Sequence, residues 1–382
     1  MGFNDRMQDV DSAYTLTIVD KKICSNCIVD DYLSDFIKVN ASSKSCSYCL
    51  ITDVNNIACD YKIIAQMIYD SIFLSYKDAQ DTGMPYVEGG WLFDEVYIED
   101  LIADFDPGWN EEFGQDIINS ADPNLYLVPH VLNDWAGIPS SEVLGYGWEE
   151  FKDQILYKTR YFFLTQKSSH NDFYSIPLVA MLDRLGDLCK RLNLIKVVEK
   201  DCTFYRVRSH AENEGFTQFA EIGAAPRGKA GAGRMNPVGI SYFYIAFSQK
   251  TAELEVISDQ FFWSLAKIKL LNNISVLNLS DLPPLPSIFD KENHDLREEI
   301  LFLHQFVEDL LKPVSRDGSE HIEYVPTQVV SEYFRYVFEP KLQGIMYPSV
   351  KDVDGLNIAI FESDNDQIQK MFNLEEIVEC QK

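Results

Sequence analysis

Positive charge is scarce in this 382-residue chain: 33 Lys and Arg stand against 60 Asp and Glu, a formal net charge of −27, with a pI of about 4.5. For the chain as a whole this excludes the electrostatic adhesion to nucleic acid or anionic lipid that basic proteins use. Any anion it binds must be held by a local basic site. Long hydrophobic runs are missing as well. The chain has no stretch of about 18 uninterrupted apolar residues, the length that a membrane-spanning helix needs. The start, MGFNDRMQDVDSAYTLTIVD, has neither the basic nor the apolar region of a secretory signal. Arg6 stands where a myristoylation signal at Gly2 requires Ser or Thr. These absences predict a cytoplasmic chain without membrane attachment. Histidine is rare, and His130, His170, His210, His294, His304 and His321 form no recognisable constellation, which argues against histidine catalysis. Internal repeats and low-complexity tracts are absent too.

What is present is a chain of 46% hydrophobic residues, long enough for two or three domains with their own cores. The acidity is uneven: from Ile51 to Glu150 the only Lys or Arg residues are Lys62 and Lys77, a block that reads as a solvated acidic face. Apolar residues at spacings of three and four predict helices over Tyr61 to Tyr76, Trp148 to Leu164 and Ile176 to Leu194. From Val197 the period changes to two, and Thr203 to Arg208 reads as a strand. Further strands are predicted over Ser241 to Phe247, Ile274 to Leu279, Gly344 to Pro348 and Leu356 to Phe361. Helices are predicted over Thr251 to Ile268, Arg297 to Leu311 and Thr327 to Phe338. Strands with helices inserted irregularly between them predict an α+β domain from 198 to 382. It follows a mainly α-helical region at 60–197 and a cysteine-containing segment at 1–59.

Cys24, Cys27, Cys46 and Cys49 form two C-x-x-C pairs with eighteen residues between them. Each pair places two thiolates on one tight turn, and two pairs supply the tetrahedral all-sulfur shell that Zn2+ accepts. Four sulfur ligands leave no position for water, so the expected metal is structural. Cys59, Cys189, Cys202 and Cys380 have no such partners, and Cys189 is expected as a small buried apolar residue.

A basic excess runs from Phe151 to Lys200, and a second, glycine-rich basic segment is the loop APRGKAGAGRMNPVG. There Arg227, Lys229 and Arg234 stand among Gly228, Gly231, Gly233 and Gly239. Glycines let backbone N–H groups approach a ligand, and arginine forks match phosphate oxygens, so a phosphate-bearing small molecule is the expected guest. Arg206 and Arg208 lie two apart on the preceding strand and share a face, so periodicity alone does not choose between them.

Arg206, then Gly233-Arg234-Met235-Asn236-Pro237-Val238-Gly239, Tyr242-Phe243-Tyr244-Ile245-Ala246, Ala252-Glu253-Leu254-Glu255 and Tyr347-Pro348-Ser349 closely resemble, in order and spacing, the signature of the RES-domain family. Met235 stands where the family usually has tryptophan. Tyr324-Val325-Pro326-Thr327-Gln328 and the four-cysteine and HEPN-like arrangement before residue 198 are similar to longer members. The resemblance implies a fold related to ADP-ribosyltransferase toxins. It also implies an enzyme that consumes NAD+ by breaking the nicotinamide–ribose bond, with water or inorganic phosphate as acceptor, in a toxin–antitoxin or antiphage setting. It assigns Arg206, Glu255 and Ser349 to catalysis and Arg206, Arg234, Tyr244 and Ser349 to binding NAD+. A cognate antitoxin or regulatory protein, and a homodimer, are the partners implied. Two rivals are a transferase acting on a macromolecule and a HEPN-type ribonuclease, although Arg160 and His170 stand too far apart for the ribonuclease spacing. The region at about 60–197 is therefore read as a helical interaction or sensing module rather than a nuclease.

Overall fold

A computed structural model describes residues 16–81, 86–87, 90–91, 96–105, 108–122, 125–129, 140–160, 178–257, 261–312 and 320–382. The chain is α+β and compacts into two units, one of residues 1–140 with 285–298, the other of 141–284 with 299–382.

The first unit is built on short elements. Strand β1 (Lys22–Cys24) pairs antiparallel with β2 (Ala58–Asp60), and between them lies helix α1 (Asp31–Asn40), started by Asp30, whose side chain accepts from Leu33 N–H. Helix α2 (Tyr61–Ser75) is capped by Asp60 in the same way. Strand β3 (Tyr76–Asp78), the two-residue strands β4 (Tyr86–Val87) and β5 (Gly90–Trp91), helices α3 (Ile98–Asp104) and α4 (Glu111–Ser120), and β6 (Leu127–Pro129) complete it. Phe113 of α4 is fully buried and takes Tyr48, Tyr61 and Trp109 edge-on at 5.3 to 5.9 Å, the geometry that the ring quadrupole favours. The buried phenols of Tyr61 and Tyr69 are satisfied by Ser120 Oγ and the Ile117 carbonyl, both at 2.7 Å.

The second unit is organised by one eight-stranded sheet. Its strands are β7 (Ile195–Val198), β8 (Thr203–Ser209), β9 (Phe243–Ala246), β10 (Phe262–Leu270), β11 (Ile274–Asn278), β12 (Gly344–Pro348), β13 (Leu356–Ile360) and β14 (Phe372–Gln381). Their order is β14-β10-β8-β9-β13-β12-β11-β7, antiparallel except for β11 beside β12. Of the inner strands, β9 and β12 read as unbroken apolar runs because both faces are covered. Leu277, Ile345 and Ala359 face one core, whereas Val276, Met346 and Ile358 face the other.

Helices α5 (Ser140–Asp153) and α6 (Leu178–Arg191) join that first core together with α9 (His294–Leu311) and α11 (Val325–Tyr336). The second compact unit thus takes in α5 and α6, which precede residue 198. The apolar face Leu182, Leu185, Leu188, Cys189 is buried with Phe302, Phe306 and Phe334 beside the sheet. Cys189 is fully buried as expected, and burial pushes its thiol up to about 12. The helix expected over Trp148 to Leu164 runs through α5 into a π-helical turn, Gln154–Lys158, while 161–164 lie outside the described residues. The short helices α7 (Phe219–Ile222), α10 (Glu320–Glu323) and α12 (Asn365–Met371) fill connections.

One expected element is corrected. The helix over Thr251 to Ile268 is instead α8 (Gln249–Val256) followed by β10. The spacing of Leu254, Ile257, Phe261 and Leu265 imitates a helical stripe. Leu254 and Phe261 are exposed, however, and in β10 only Trp263 to Ala266 are buried on both faces; the period-two signal is confined to Ala266-Lys267-Ile268-Lys269-Leu270, too short to outweigh the helical spacing before it.

Candidate functional site

The sheet splits where β8 meets β9, since the two strands pair only through Tyr205 and Ala246. Arg206 fills the split. Its Nε donates to the Ile222 carbonyl at 2.6 Å, Nη1 to the Tyr244 carbonyl at 2.6 Å and Nη2 to the Gly223 carbonyl at 3.0 Å. The guanidinium also lies 5.0 Å from the Phe243 ring centroid. Burial, with Arg208 nearby, lowers its pKa to about 10, still cationic at neutral pH. Of its five N–H bonds, three go to these backbone carbonyls. Arg208 bonds the Glu221 carbonyl and packs on Phe216, so it is Arg206 that faces the cleft beside it.

That cleft, of about 450 Å³, is lined by Arg206, Arg234, Tyr244 and Glu255, with Tyr205, Tyr324, Tyr347, Lys351 and Asn357 among their neighbours. Four of the five residues assigned from the sequence therefore line one cavity. The fifth, Ser349, lies directly behind Glu255. Arg227 and Lys229 are exposed and are not among its lining residues, nor is any described histidine.

Arg234 is carried by a loop that α11 holds in place. Thr327 Oγ1 donates to the Arg234 carbonyl, and Gln328 Nε2 donates to the carbonyls of Gly233 at 2.9 Å and Asn236 at 3.0 Å. Arg234 Nη1 reaches the Leu310 carbonyl at 2.5 Å and that of Lys312 at 3.1 Å, and its guanidinium lies 5.5 Å from the Tyr324 ring centroid. A Cβ on Gly233 would push against Asn236 Oδ1 and the Tyr244 hydroxyl, so a larger residue there would displace both. Met235, in place of tryptophan, is 1% exposed and accepts a hydrogen bond from Ser331 Oγ at its sulfur. The Tyr244 hydroxyl donates to Asn236 Oδ1 at 2.7 Å and accepts from Met235 N–H at 3.2 Å. Burial raises the phenols of Tyr244 and Tyr347 well above their ordinary value, so both stay neutral.

Glu255 stands in the last turn of α8, a helix started by Ser248 Oγ, which accepts from Thr251 N–H. Its Oε1 accepts from Ser349 Oγ at 2.7 Å and from Asn357 Nδ2 at 2.8 Å, and its own carbonyl accepts from Lys351 Nζ at 2.8 Å. Sequence reasoning assigned no role to Asn357, Lys351 or Gln328. The available signal for Asn357 was a buried amide in the otherwise apolar strand Leu-Asn-Ile-Ala-Ile.

In the first unit the sulfurs of Cys24, Cys27, Cys46 and Cys49 all lie within 4.8 Å of one another. The separations are 3.4 Å for Cys24 to Cys49 and 3.8 Å for Cys24 to Cys27 and for Cys27 to Cys46. A tetrahedron with metal–sulfur bonds of 2.3 Å has edges of about 3.8 Å. The four residues fit a metal ion and can hold one. Burial pushes the Cys24 thiol up to about 11 and that of Cys27 higher. At Cys46 burial also raises, but backbone N–H groups of Cys49, Tyr48 and Cys24 outweigh it and bring the thiol down to about 7.

Comparison with protein families agrees with this geometry. Residues 203–380 match the RES domain and residues 39–169 match HEPN/RES N-terminal domain 1. The chain belongs to the RES-domain family and carries its HEPN-like N-terminal region. That membership supports a toxin-like, NAD-related enzyme in general terms. No curated protein matches the chain. No helix among the described residues is long and apolar enough to cross a membrane.

Proposed function

We propose that the chain consumes NAD+ by cleaving the bond between nicotinamide N1 and ribose C1′ and passes the ADP-ribose to water or inorganic phosphate. The observation that carries this reading is the carboxylate of Glu255, at the cleft and gripped on one oxygen by Ser349 and Asn357. The N1–C1′ bond breaks with its electron pair on N1, so nicotinamide departs neutral and needs no general acid. Positive charge develops on the ribose, and a fixed carboxylate stabilises it without reorganising. Oε2 of Glu255 is the oxygen assigned to the ribose. The acceptor oxygen then bonds C1′, and the acceptor releases its proton to solvent.

Arg206 and Arg234 hold the pyrophosphate and orient the dinucleotide. The Tyr244 ring packs against nicotinamide, a contact of about 1 kcal/mol beyond burial. The sheet with its split and its glutamate-bearing helix supports kinship with ADP-ribosyltransferase folds. Zn2+ is the metal we assign to the four cysteines, because an all-thiolate tetrahedral set matches its preference, and its role is to hold the first segment folded. In a toxin setting the cleft is the surface a cognate antitoxin or regulatory protein would have to control.

The test incubates purified protein with NAD+, with and without inorganic phosphate, and identifies products by mass. Free nicotinamide with ADP-ribose, or with its 1″-phosphate, is the expected result and names the acceptor. ADP-ribose attached to an added macromolecule would replace the reading with a transferase. Intact NAD+ would overturn it.

A further inference from the structure

Near the contact between Ser349 and Glu255 lies a second buried carboxylate, Asp352, that does not line the cleft. Ser349 opens the turn 349–355 that joins β12 to β13. Its Oγ accepts from the backbone N–H groups of Lys351 and Asp352, both at 3.1 Å. A hydroxyl has two lone pairs and one proton; with both lone pairs used, the proton points to Glu255 Oε1 at 2.7 Å. The turn that delivers those N–H groups is closed by Ser349 N–H to the Gly355 carbonyl at 2.7 Å and Gly355 N–H to the Asp352 carbonyl at 2.8 Å.

What fastens this turn to the glutamate-bearing helix is Asp352, itself 6% exposed. Its Oδ2 accepts from Thr251 Oγ1 at 2.7 Å and its Oδ1 from Lys250 Nζ at 2.6 Å. Both donors lie in the first turn of α8, one helical turn before Glu255. Thr251 is fully buried, and the fit is close enough that a Cβ on Gly355 would meet Thr251 Cγ2 at 2.7 Å and Asp352 Cβ at 2.8 Å.

We propose that Asp352 is a positioning residue for Glu255: it pins the Ser349 turn to α8 through Thr251, and so fixes the direction of the Ser349 hydroxyl that orients the carboxylate. The inference rests on the NAD+-cleaving reading of the cleft. Lys250, a surface side chain, contributes little to it.

Thr251→Val keeps the shape and removes the hydroxyl. In the full-length protein, kcat for NAD+ loss is expected to fall about tenfold to a hundredfold, the scale of a misplaced catalytic group. KM should change by less than about twofold, because the binding arginines are untouched. Thr251→Ser restores the hydrogen bond and is expected to restore kcat, which a purely steric role of the methyl group would not do. Asp352→Asn should lose kcat in the same way. Wild-type kcat in both Thr251→Val and Asp352→Asn, or an equal loss in Thr251→Ser, overturns the proposal. Should wild-type protein leave NAD+ intact, the functional reading fails, and a crystal structure of Thr251→Val decides this one separately. A Ser349 Oγ displaced beyond hydrogen-bond reach of Glu255 supports it; an unchanged contact overturns it.

Discussion

The two sites of this molecule are assembled in opposite ways. The four cysteines come from two tight turns within Cys24–Cys49, and one short stretch of chain brings all four sulfurs together. The cleft draws on residues from Tyr205 to Asn357, which meet only because eight strands pair in one order. A site made by local spacing can be read from sequence by counting and depends for its stability on what fills it. A site made by sheet topology depends on the pairing itself, and its chemistry rests on hydrogen bonds between segments far apart in the chain.

The largest expected effect tests the first half of that contrast. Removing the metal with a chelator, or by Cys27→Ser with Cys46→Ser, should unfold the segment around 16–60. Small zinc modules draw about 10–16 kcal/mol of apparent binding energy from their ion at pH 7. Calorimetry of the whole chain should show this loss while the transition of the sheet unit stays in place. A metal-free protein that melts as the untreated one does would remove the metal from the account.

Next in size is the chemistry of the cleft. Glu255→Gln keeps the shape and removes the charge, and turnover of NAD+ should fall about a hundredfold to a thousandfold, the loss seen when one group stabilising transition-state charge is deleted. Circular dichroism should be unchanged, since Glu255 is only half-buried at the end of a short helix. Turnover at the wild-type rate would take Glu255 out of the mechanism.

These two sites also differ in how legible they were. Both C-x-x-C pairs and the helix starting at Tyr61 follow from spacing alone, and the structure places them as expected. For the cleft, the resemblance singled out Arg206, Arg234, Tyr244 and Glu255, all of which line one cavity. It could not show that Arg206 spends three N–H groups on backbone carbonyls, because that depends on where β8 and β9 part. Strand β10 was hidden because its first half is buried on both faces and its alternation starts only at Ala266, and β14 because it is an edge strand bearing Glu375, Glu376 and Glu379. For α6 amphipathic spacing shows that a face is buried, never against what, so its packing beside Phe302, Phe306 and Phe334 was not legible.

A smaller effect separates glycines that look alike in the basic loop. Gly233→Ala forces Asn236 and the Tyr244 hydroxyl to move, an overpacking cost of about 1–3 kcal/mol, and should weaken NAD+ binding about tenfold by calorimetry. Gly231→Ala, where the added methyl meets nothing within 4 Å, should bind as wild type. Equal affinities for the two variants would mean that the loop adapts freely and that its glycines serve no common packing purpose.

The smallest expected effect returns to topology through pH. Hydrogen bonds from Lys250 and then Thr251 hold the Asp352 carboxyl below its ordinary value. Between the folded value and the unfolded one, about 3.9, the unfolded chain binds more protons, so stability rises with pH through that window. The contribution is fully present above the unfolded value and is lost as pH falls through the folded one. Melting temperatures of wild type and Asp352→Asn, compared from pH 7 down to pH 3, should therefore converge on the acid side. A gap that stayed constant across that range would mean that the charge of Asp352 does not tie the turn to its helix, leaving the Thr251 hydroxyl and the close fit at Gly355 to hold it.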